Sequence, residues 1–250
     1  FLMKKRTFLQ KLCSIFTVSA LLLGTGSAIA PAVSAAAEPD AWHDDWLHVN
    51  DNAEIVDRNG NPVWLTGCNW FGYNVGSQVF DGVWSQNMHD MLTQIADHGF
   101  NLLRIPVSTE LLLQWKNGHP DPATPKVNEY SNPELTVEGV QGGTIKYSFD
   151  IWNQAVEWCR ELGIKIMIDI HSAETASAGH QVSLWYTDKF STEDWCDALA
   201  WFADYYKDDD TILAIDLKNE PHGTADVKDK MAKWDDSTDP TNWKYAAETC

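Results

Sequence analysis

The stretch "TILAIDLKNEPHG", residues 211–223, begins as an aliphatic run and then changes abruptly to polar residues. The aliphatic part is typical of a buried strand, because β-branched side chains pack well on a pleated sheet. Lys218, Asn219 and Glu220 follow at once, and Pro221 cannot extend the ladder of hydrogen bonds. A carboxyl group fixed between apolar walls at a strand end can stay protonated and donate to a leaving group. The alternative interpretation is a glutamate that pairs with Lys218 or caps the next helix.

Three further aliphatic runs precede this one, and helical periodicity fills the intervals between them. We predict strands at "VWLTGCNW" (63–70), "NLLRIPVS" (101–108), which Pro106 would stop, and "IKIMIDIH" (164–171). The predicted helices are residues 85–99, capped by Ser85 and ended by Gly99, a helix from Asp150 to Gly163, and one opened by the capping-box pattern Ser191-x-x-Asp194. Residues 241–250 again have a helical pattern.

The alternation of strands and helices predicts an α/β fold with a parallel sheet. Polar residues follow each strand, as they do on the active-site face of a (β/α)8 barrel. A doubly wound sheet is the competing architecture, but the first predicted strand is followed by no glycine-rich phosphate loop. We therefore predict a (β/α)8 TIM barrel that is incomplete in this chain. About the first four βα units are visible, and we expect the barrel to continue beyond residue 250.

Two other segments belong to this organisation. An N-terminal β-hairpin is predicted over residues 47–67, because Asn59-Gly60 is a strong turn signal between two extended runs. Residues 115–148 are rich in Asn, Gly and Pro and lack clean periodicity. Such a length exceeds an ordinary connection, so we predict a functional loop on one face.

The N-terminus has the pattern of a secretory signal peptide. Lys4, Lys5, Arg6 and Lys11 precede the apolar run 12–30, which small residues follow. We predict cleavage between about residues 30 and 37, a short segment 38–46, and a catalytic portion 47–250. A short retained membrane anchor is the alternative. The prediction implies a secreted, extracellular protein, with no membrane contact after cleavage.

Charge and cysteine content narrow the function further. The net charge of −18 becomes −22 once the signal peptide and its four cations are removed. A chain that acidic is repelled by phosphate backbones, which argues against nucleic-acid binding.

The cysteine spacing matches no zinc pattern, and whether Cys159 and Cys196 form a disulfide stays open. The 13 Trp residues are explained either by an aromatic core or by platforms that stack on sugars.

From about Leu47 onward the sequence closely resembles glycoside hydrolase family 5, and most closely its bacterial endo-β-1,4-glucanases. The resemblance rests on "VDRNGNPVWLTGCNWFG", "DGVWS", "GFNLLRIPVS", "GIKIMIDIHS", "LWYT" and "DLKNEPHG", in this order. "NEP" alone is shared with related barrel families, whereas the ordered set is highly specific. The family comprises retaining (β/α)8 enzymes, which implies a cellulase that hydrolyses internal β-1,4-glucosidic bonds of cellulose without a metal or other cofactor.

The resemblance assigns roles to seven residues. Glu220 is the expected general acid/base, and Asn219 is expected to bind the sugar 2-hydroxyl. Arg104 is expected to hold the nucleophile ionised, and His171 to bind a hydroxyl of the cleaved sugar. Three tryptophans are expected to line the glucan cleft: Trp70, Trp84 and Trp185.

The second carboxylate of a retaining mechanism is the main gap. Asp169, Glu174 and Asp216 are the local candidates, but we expect the two aspartates to face away from the mouth or to pair within the barrel, and Glu174 matches no family nucleophile. The resemblance implies a nucleophile beyond residue 250, so this chain alone should be inactive. Mannan, xyloglucan or mixed-linkage glucan remain alternative substrates, and a non-catalytic carbohydrate-binding module is a remote alternative. A carbohydrate-binding module or dockerin after residue 250 stays open.

Overall fold

A computed structural model describes residues 45–118, 125–175, 183–222 and 231–250 of the chain. The described residues all lie in the second of two units of the chain, Glu38–Cys250. The segment predicted to be a signal peptide lies outside the described residues. Within the described residues, no helix is long and apolar enough to cross a membrane.

The main sheet of the second unit has four parallel strands in the order β3-β4-β5-β6. These strands are β3 (Gly67–Asn69), β4 (Leu102–Ser108), β5 (Lys165–Ser172) and β6 (Ile212–Asp216). Each strand pairs with its successor in the chain, as in a barrel, whereas a doubly wound sheet reverses its order near the middle. All four predicted strands are therefore confirmed.

A short antiparallel pair precedes the sheet: β1 (His48–Val49) and β2 (Ile55–Val56). The predicted turn at Asn59-Gly60 is present, with Gly60 at a φ of +80° and an isolated bridge that joins Val56 to Pro62. The regular hairpin pairing, however, spans the turn at residues 50–54. The N-terminal hairpin therefore has one more turn than the sequence suggested.

In the described part of the chain, five α-helices pack beside the sheet or follow it: α1 (Met88–Asp97), α2 (Thr109–Lys116), α3 (Ser148–Leu162), α4 (Thr192–Tyr205) and α5 (Trp243–Thr249). The capping box of α4 is formed, since Ser191 and Asp194 each accept a backbone N–H from the other. Gly163 ends α3 in the left-handed conformation at a φ of +72°. The predicted cap of α1 is wrong, because Asn87 rather than Ser85 accepts the Asp90 N–H.

Pro106 does not stop β4, which continues to Ser108. The Arg104 carbonyl accepts a hydrogen bond from the Trp70 N–H, so the backbone groups of Arg104 face β3. Pro106 lies two residues further and faces the same side, where β3 has already ended at Asn69. The missing N–H of Pro106 therefore costs the sheet no hydrogen bond. Proline is tolerated in a strand at such positions, where no neighbouring strand faces its nitrogen.

The hydrophobic core lies between the outer face of the sheet and the helices. Alternate residues of β4 and β5 are completely buried there: Leu103, Ile105, Val107, Ile166, Ile168 and Ile170. Large rings fill the space beneath the helices, with Tyr73 packed edge-on against Trp152 at 5.1 Å and against Trp115 at 5.9 Å. Much of the tryptophan content is therefore core, and this packing fixes the strands that carry the polar residues.

The described part of the 115–148 segment is hydrogen-bonded to the N-terminal end of α1. The buried Asn132 accepts the Met88 N–H at 2.7 Å and donates to the Val83 and Gln86 carbonyls. One turn of 3-10 helix, Pro133–Leu135, follows it. This segment is therefore a structured loop that closes the N-terminal end of α1.

Candidate active site

The carboxyl ends of the four strands lie side by side, so residues far apart in sequence become neighbours. Asn69 is in register with Arg104, and Pro106 is in register with Asp169, which in turn pairs with Asp216. Because side chains alternate along a strand, Arg104, Asp169 and Asp216 project from the same face, opposite the aliphatic core. This face is where the predicted site residues meet.

Arg104 is the centre of a hydrogen-bonded network on that face. Its guanidinium lies 3.1 Å from Asp169 Oδ2 and donates to Asp216 Oδ2 at 2.7 Å and to Asn219 Oδ1 at 3.0 Å. A planar fork of fixed donors suits such convergent contacts. Arg104 therefore joins β4, β5 and the end of β6 in one arrangement.

His171 belongs to the same network. Its Nδ1 lies 2.6 Å from Asp169 Oδ2, and the Asp169 side chain is fully buried. An anionic partner at Nδ1 favours a proton on that nitrogen and fixes the plane of the ring. Asp169 therefore contacts both Arg104 and His171, as expected for an aspartate that pairs within the barrel.

Asn219 and Glu220 follow β6 in an irregular segment. The Asn219 N–H donates to the Ile170 carbonyl at 2.9 Å, and its side chain accepts from Arg104, so the amide is held from both sides. Glu220 has a φ of +41°, a left-handed conformation that a residue with a side chain seldom adopts. The residue is exposed, next to the buried Asn219. The carboxyl group is therefore presented from a fixed backbone and is accessible to a ligand.

Lys218 is the residue that sequence reasoning passed over. Only 3% of it is exposed, although lysine is rarely buried. Its ammonium donates to the His171 carbonyl at 3.2 Å and to the Asn219 carbonyl at 2.5 Å. Burial lowers the pKa of Lys218 to about 8, against the opposing effect of nearby Asp169, Asp216 and Glu220. The alternative interpretation paired Glu220 with Lys218, whereas the structure shows the Lys218 ammonium bound to two backbone carbonyls.

The three tryptophans occupy different environments. Trp84 is 56% exposed and its Nε1 lies 3.4 Å from Asp81 Oδ1. Trp70 is 9% exposed and stacks on Phe80 at 4.0 Å, with its Nε1–H donated to the Asp81 carbonyl. Trp185 is 1% exposed and bonds to Thr192, so it belongs to the core. Of the three, Trp84 has a ring face free for stacking on a sugar, and Trp185 does not.

The local carboxylates can now be assigned. Asp169 and Asp216 are both bound to Arg104, as expected. Glu174 is ion-paired with Lys189, and the hydrogen bond from Lys189 lowers the pKa of Glu174. None of these three described carboxylates is placed as a second reactive group. Among the described residues, no cluster of three His, Cys, Asp or Glu side chains could hold a metal ion.

A cavity of about 430 Å³ lies away from the strand ends, between α3 and the end of α4. Arg160, the basic residue of its lining, is ion-paired with two acidic lining residues, Glu157 and Asp209. The cysteines of the described ranges are free thiols, and Cys196 contacts Cys250 rather than Cys159. Neither feature adds reactive groups to the strand-end network.

Comparisons with known proteins agree with this geometry. The family model described as Cellulase (glycosyl hydrolase family 5) matches residues 56–250. Endoglucanase G of Acetivibrio thermocellus is 46% identical over 263 residues, which cover 99% of this chain and 46% of that protein. Endoglucanase B of the same organism is 40% identical and covers 98% of this chain and 42% of its own length. The chain therefore spans about half the length of the curated relatives it matches.

A solved structure gives the same result for the fold. The endocellulase of Pyrococcus horikoshii, in a complex with cellotetraose, superposes with a TM-score of 0.66 at 29% identity. The alignment covers 82% of this chain and 52% of that one. Together with the strand order, these matches confirm the predicted (β/α)8 barrel, of which this chain contributes part.

Proposed function

The chain belongs to glycosyl hydrolase family 5, and from that membership we propose that it contributes the first four βα units of an endo-β-1,4-glucanase. The observation that carries the proposal is the network at the strand ends, in which Arg104 bonds Asp169, Asp216 and Asn219 beside the exposed Glu220. The names of the relatives, endoglucanase and endocellulase, point to internal bonds of cellulose as the substrate.

In this proposal the reaction proceeds with retention of configuration. Glu220 protonates the glycosidic oxygen of the leaving sugar while a second carboxylate attacks the anomeric carbon, and Glu220 then activates the water that releases the product. Asn219 donates to the 2-hydroxyl, since Arg104 already occupies its Oδ1 and leaves the NH2 group to donate. Asp169 and Asp216 are occupied by Arg104, so the nucleophile comes from another part of the complete protein.

The histidine contributes to binding in the same proposal. In the proposal His171 binds a sugar hydroxyl, and Asp169 at its Nδ1 holds the ring in place. The exposed indole of Trp84 offers a flat apolar face to the C–H surface of β-glucose. Neither group requires a metal or a cofactor for this role.

The experiment is reducing-sugar release from carboxymethyl cellulose by the complete protein and its Glu220→Gln variant. We expect kcat to fall about 10²–10⁴-fold with little change in KM, because the amide still binds but cannot transfer a proton. Glu174→Gln is the matched control, since Glu174 is a nearby carboxylate that is bound to Lys189 and is expected to keep activity. Near-normal hydrolysis by the Glu220 variant would contradict the assignment, and a panel of mannan, xyloglucan and mixed-linkage glucan tests the polymer.

We propose further that the protein is exported, with residues 1–37 as its signal peptide. The support is the sequence pattern: a cationic start, an apolar run and small residues at the cleavage region. N-terminal sequencing of protein collected from the culture medium would locate the cleavage site. A carbohydrate-binding module or dockerin in the same protein is a separate part of the proposal, which sequencing of the gene beyond codon 250 tests.

A further inference from the structure

The end of β6 contains a buried cation for which the proposed mechanism has no use. The Lys218 ammonium donates to the backbone carbonyls of His171 and Asn219, on two different strand ends. Both carbonyls belong to residues whose side chains form the strand-end network. The lysine thus joins the backbones of the same two segments that Arg104 joins through side chains.

The segment that Lys218 holds is one that needs support. Glu220 adopts a φ of +41°, and such strained backbone persists only where the surrounding structure determines it. The Asn219 N–H is bound by the Ile170 carbonyl, and the Asn219 carbonyl is bound by Lys218, so both ends of the residue before Glu220 are fixed. The position of the Glu220 carboxyl therefore depends on these contacts.

The charges around Lys218 are mostly negative. Asp169, Asp216 and Glu220 all favour the charged ammonium, whereas burial disfavours it. Arg104 is ion-paired with both aspartates, so its charge is largely neutralised by them. Lys218 is the cation that binds the backbone carbonyls of this segment directly.

We propose that Lys218 is a positioning residue for the reaction: its ammonium clamps the end of β5 to the Asn219–Glu220 segment. The proposal rests on the proposed function, in which Glu220 is the general acid/base. Loss of the clamp leaves the Glu220 carboxyl less well placed for proton transfer, so it lowers kcat with little change in KM.

The test uses kcat and KM of the complete protein and two variants. Lys218→Met keeps an unbranched side chain but removes the donors to both carbonyls, and Lys218→Arg keeps a charged donor. We expect kcat of Lys218→Met to fall roughly 10–100-fold with little change in KM, because the acid is less well placed. In Lys218→Arg kcat should be restored at least in part.

Lys165→Met is the matched control for burial alone. Lys165 is also largely buried and donates to two backbone carbonyls, those of Asp45 and Asp210, but it lies at the opposite end of β5. At ~3.3 Å per residue it is about 20 Å from His171 along the strand. Its loss should lower Tm and leave kcat and KM unchanged.

The outcomes separate the two proposals. If Glu220→Gln abolishes hydrolysis and Lys218→Met lowers kcat far more than Lys165→Met does, both stand. If Glu220→Gln abolishes hydrolysis and Lys218→Met lowers kcat no more than Lys165→Met does, Lys218 is structural and this inference fails alone. If Glu220→Gln remains active, the proposed function fails, whatever the lysine variants do.

Discussion

The two faces of β5 differ in what their side chains contact. Ile166, Ile168 and Ile170 point to one side and are completely buried in the hydrophobic core. Asp169 and His171 point to the other side and form hydrogen bonds and ion pairs at the end of the strand. The same strand therefore stabilises the fold on one face and assembles a site on the other.

The two faces therefore differ in the amino-acid substitutions that they tolerate. The stabilisation from burial of aliphatic side chains has no preferred direction and depends mainly on the volume that is filled. Aliphatic residues of similar size can therefore replace one another with a small loss of stability. A buried ion pair is different, because loss of one partner leaves the other charged and without compensation. Substitutions on the two faces should consequently affect different quantities.

The largest effect is expected from Asp169→Asn on the polar face. This change leaves Arg104 without its buried anion and His171 without its partner at Nδ1. We expect the free energy of unfolding to fall by about 3–5 kcal/mol and kcat/KM to fall with it. Chemical denaturation and hydrolysis of carboxymethyl cellulose by the complete protein measure the two effects.

Asp216→Asn is the control for that prediction. Asp216 also binds Arg104, but its side chain is 34% exposed, so water can compensate for the lost charge. We expect a loss of no more than about 1 kcal/mol. Equal losses for the two aspartates would contradict the view that burial makes Asp169 special.

A smaller effect is expected from Ile168→Val on the core face. The residue is completely buried, and removal of one methyl group should lower the free energy of unfolding by about 1 kcal/mol. The values of kcat, KM and the pH profile should stay unchanged, because no group at the strand ends is touched. A shifted pH profile in this variant would show that the two faces are not independent.

The sequence predicted the sheet well because each strand combines an aliphatic face with a terminal polar residue. It missed α2, although Ser108 caps that helix by accepting the Leu111 N–H and a serine before such a run is a usable signal. Pro106 was misjudged because its tolerance depends on where the neighbouring strand ends. That is a property of the sheet register, which a single sequence does not contain.

The site was predicted less completely than the fold. The pairing of Asp169 and Asp216 within the barrel could be anticipated as one of two alternatives, since both precede a strand end, but Arg104 as their shared partner could not. The burial of Lys218 could not, because lysine is normally exposed and its partners are backbone carbonyls with no sequence signature. The core position of Trp185 was equally hidden, since a tryptophan suits both a core and a sugar platform.

The most direct test of the account is a crystal structure of the complete protein with Glu220→Gln and bound cellotetraose. We predict that the substituted amide side chain at position 220 lies within hydrogen-bond distance, about 3 Å, of a glycosidic oxygen. A second carboxylate should lie about 5–5.5 Å from it across the sugar. A tetraose bound at the other end of the strands, or a site in which no carboxylate faces position 220, would contradict the account.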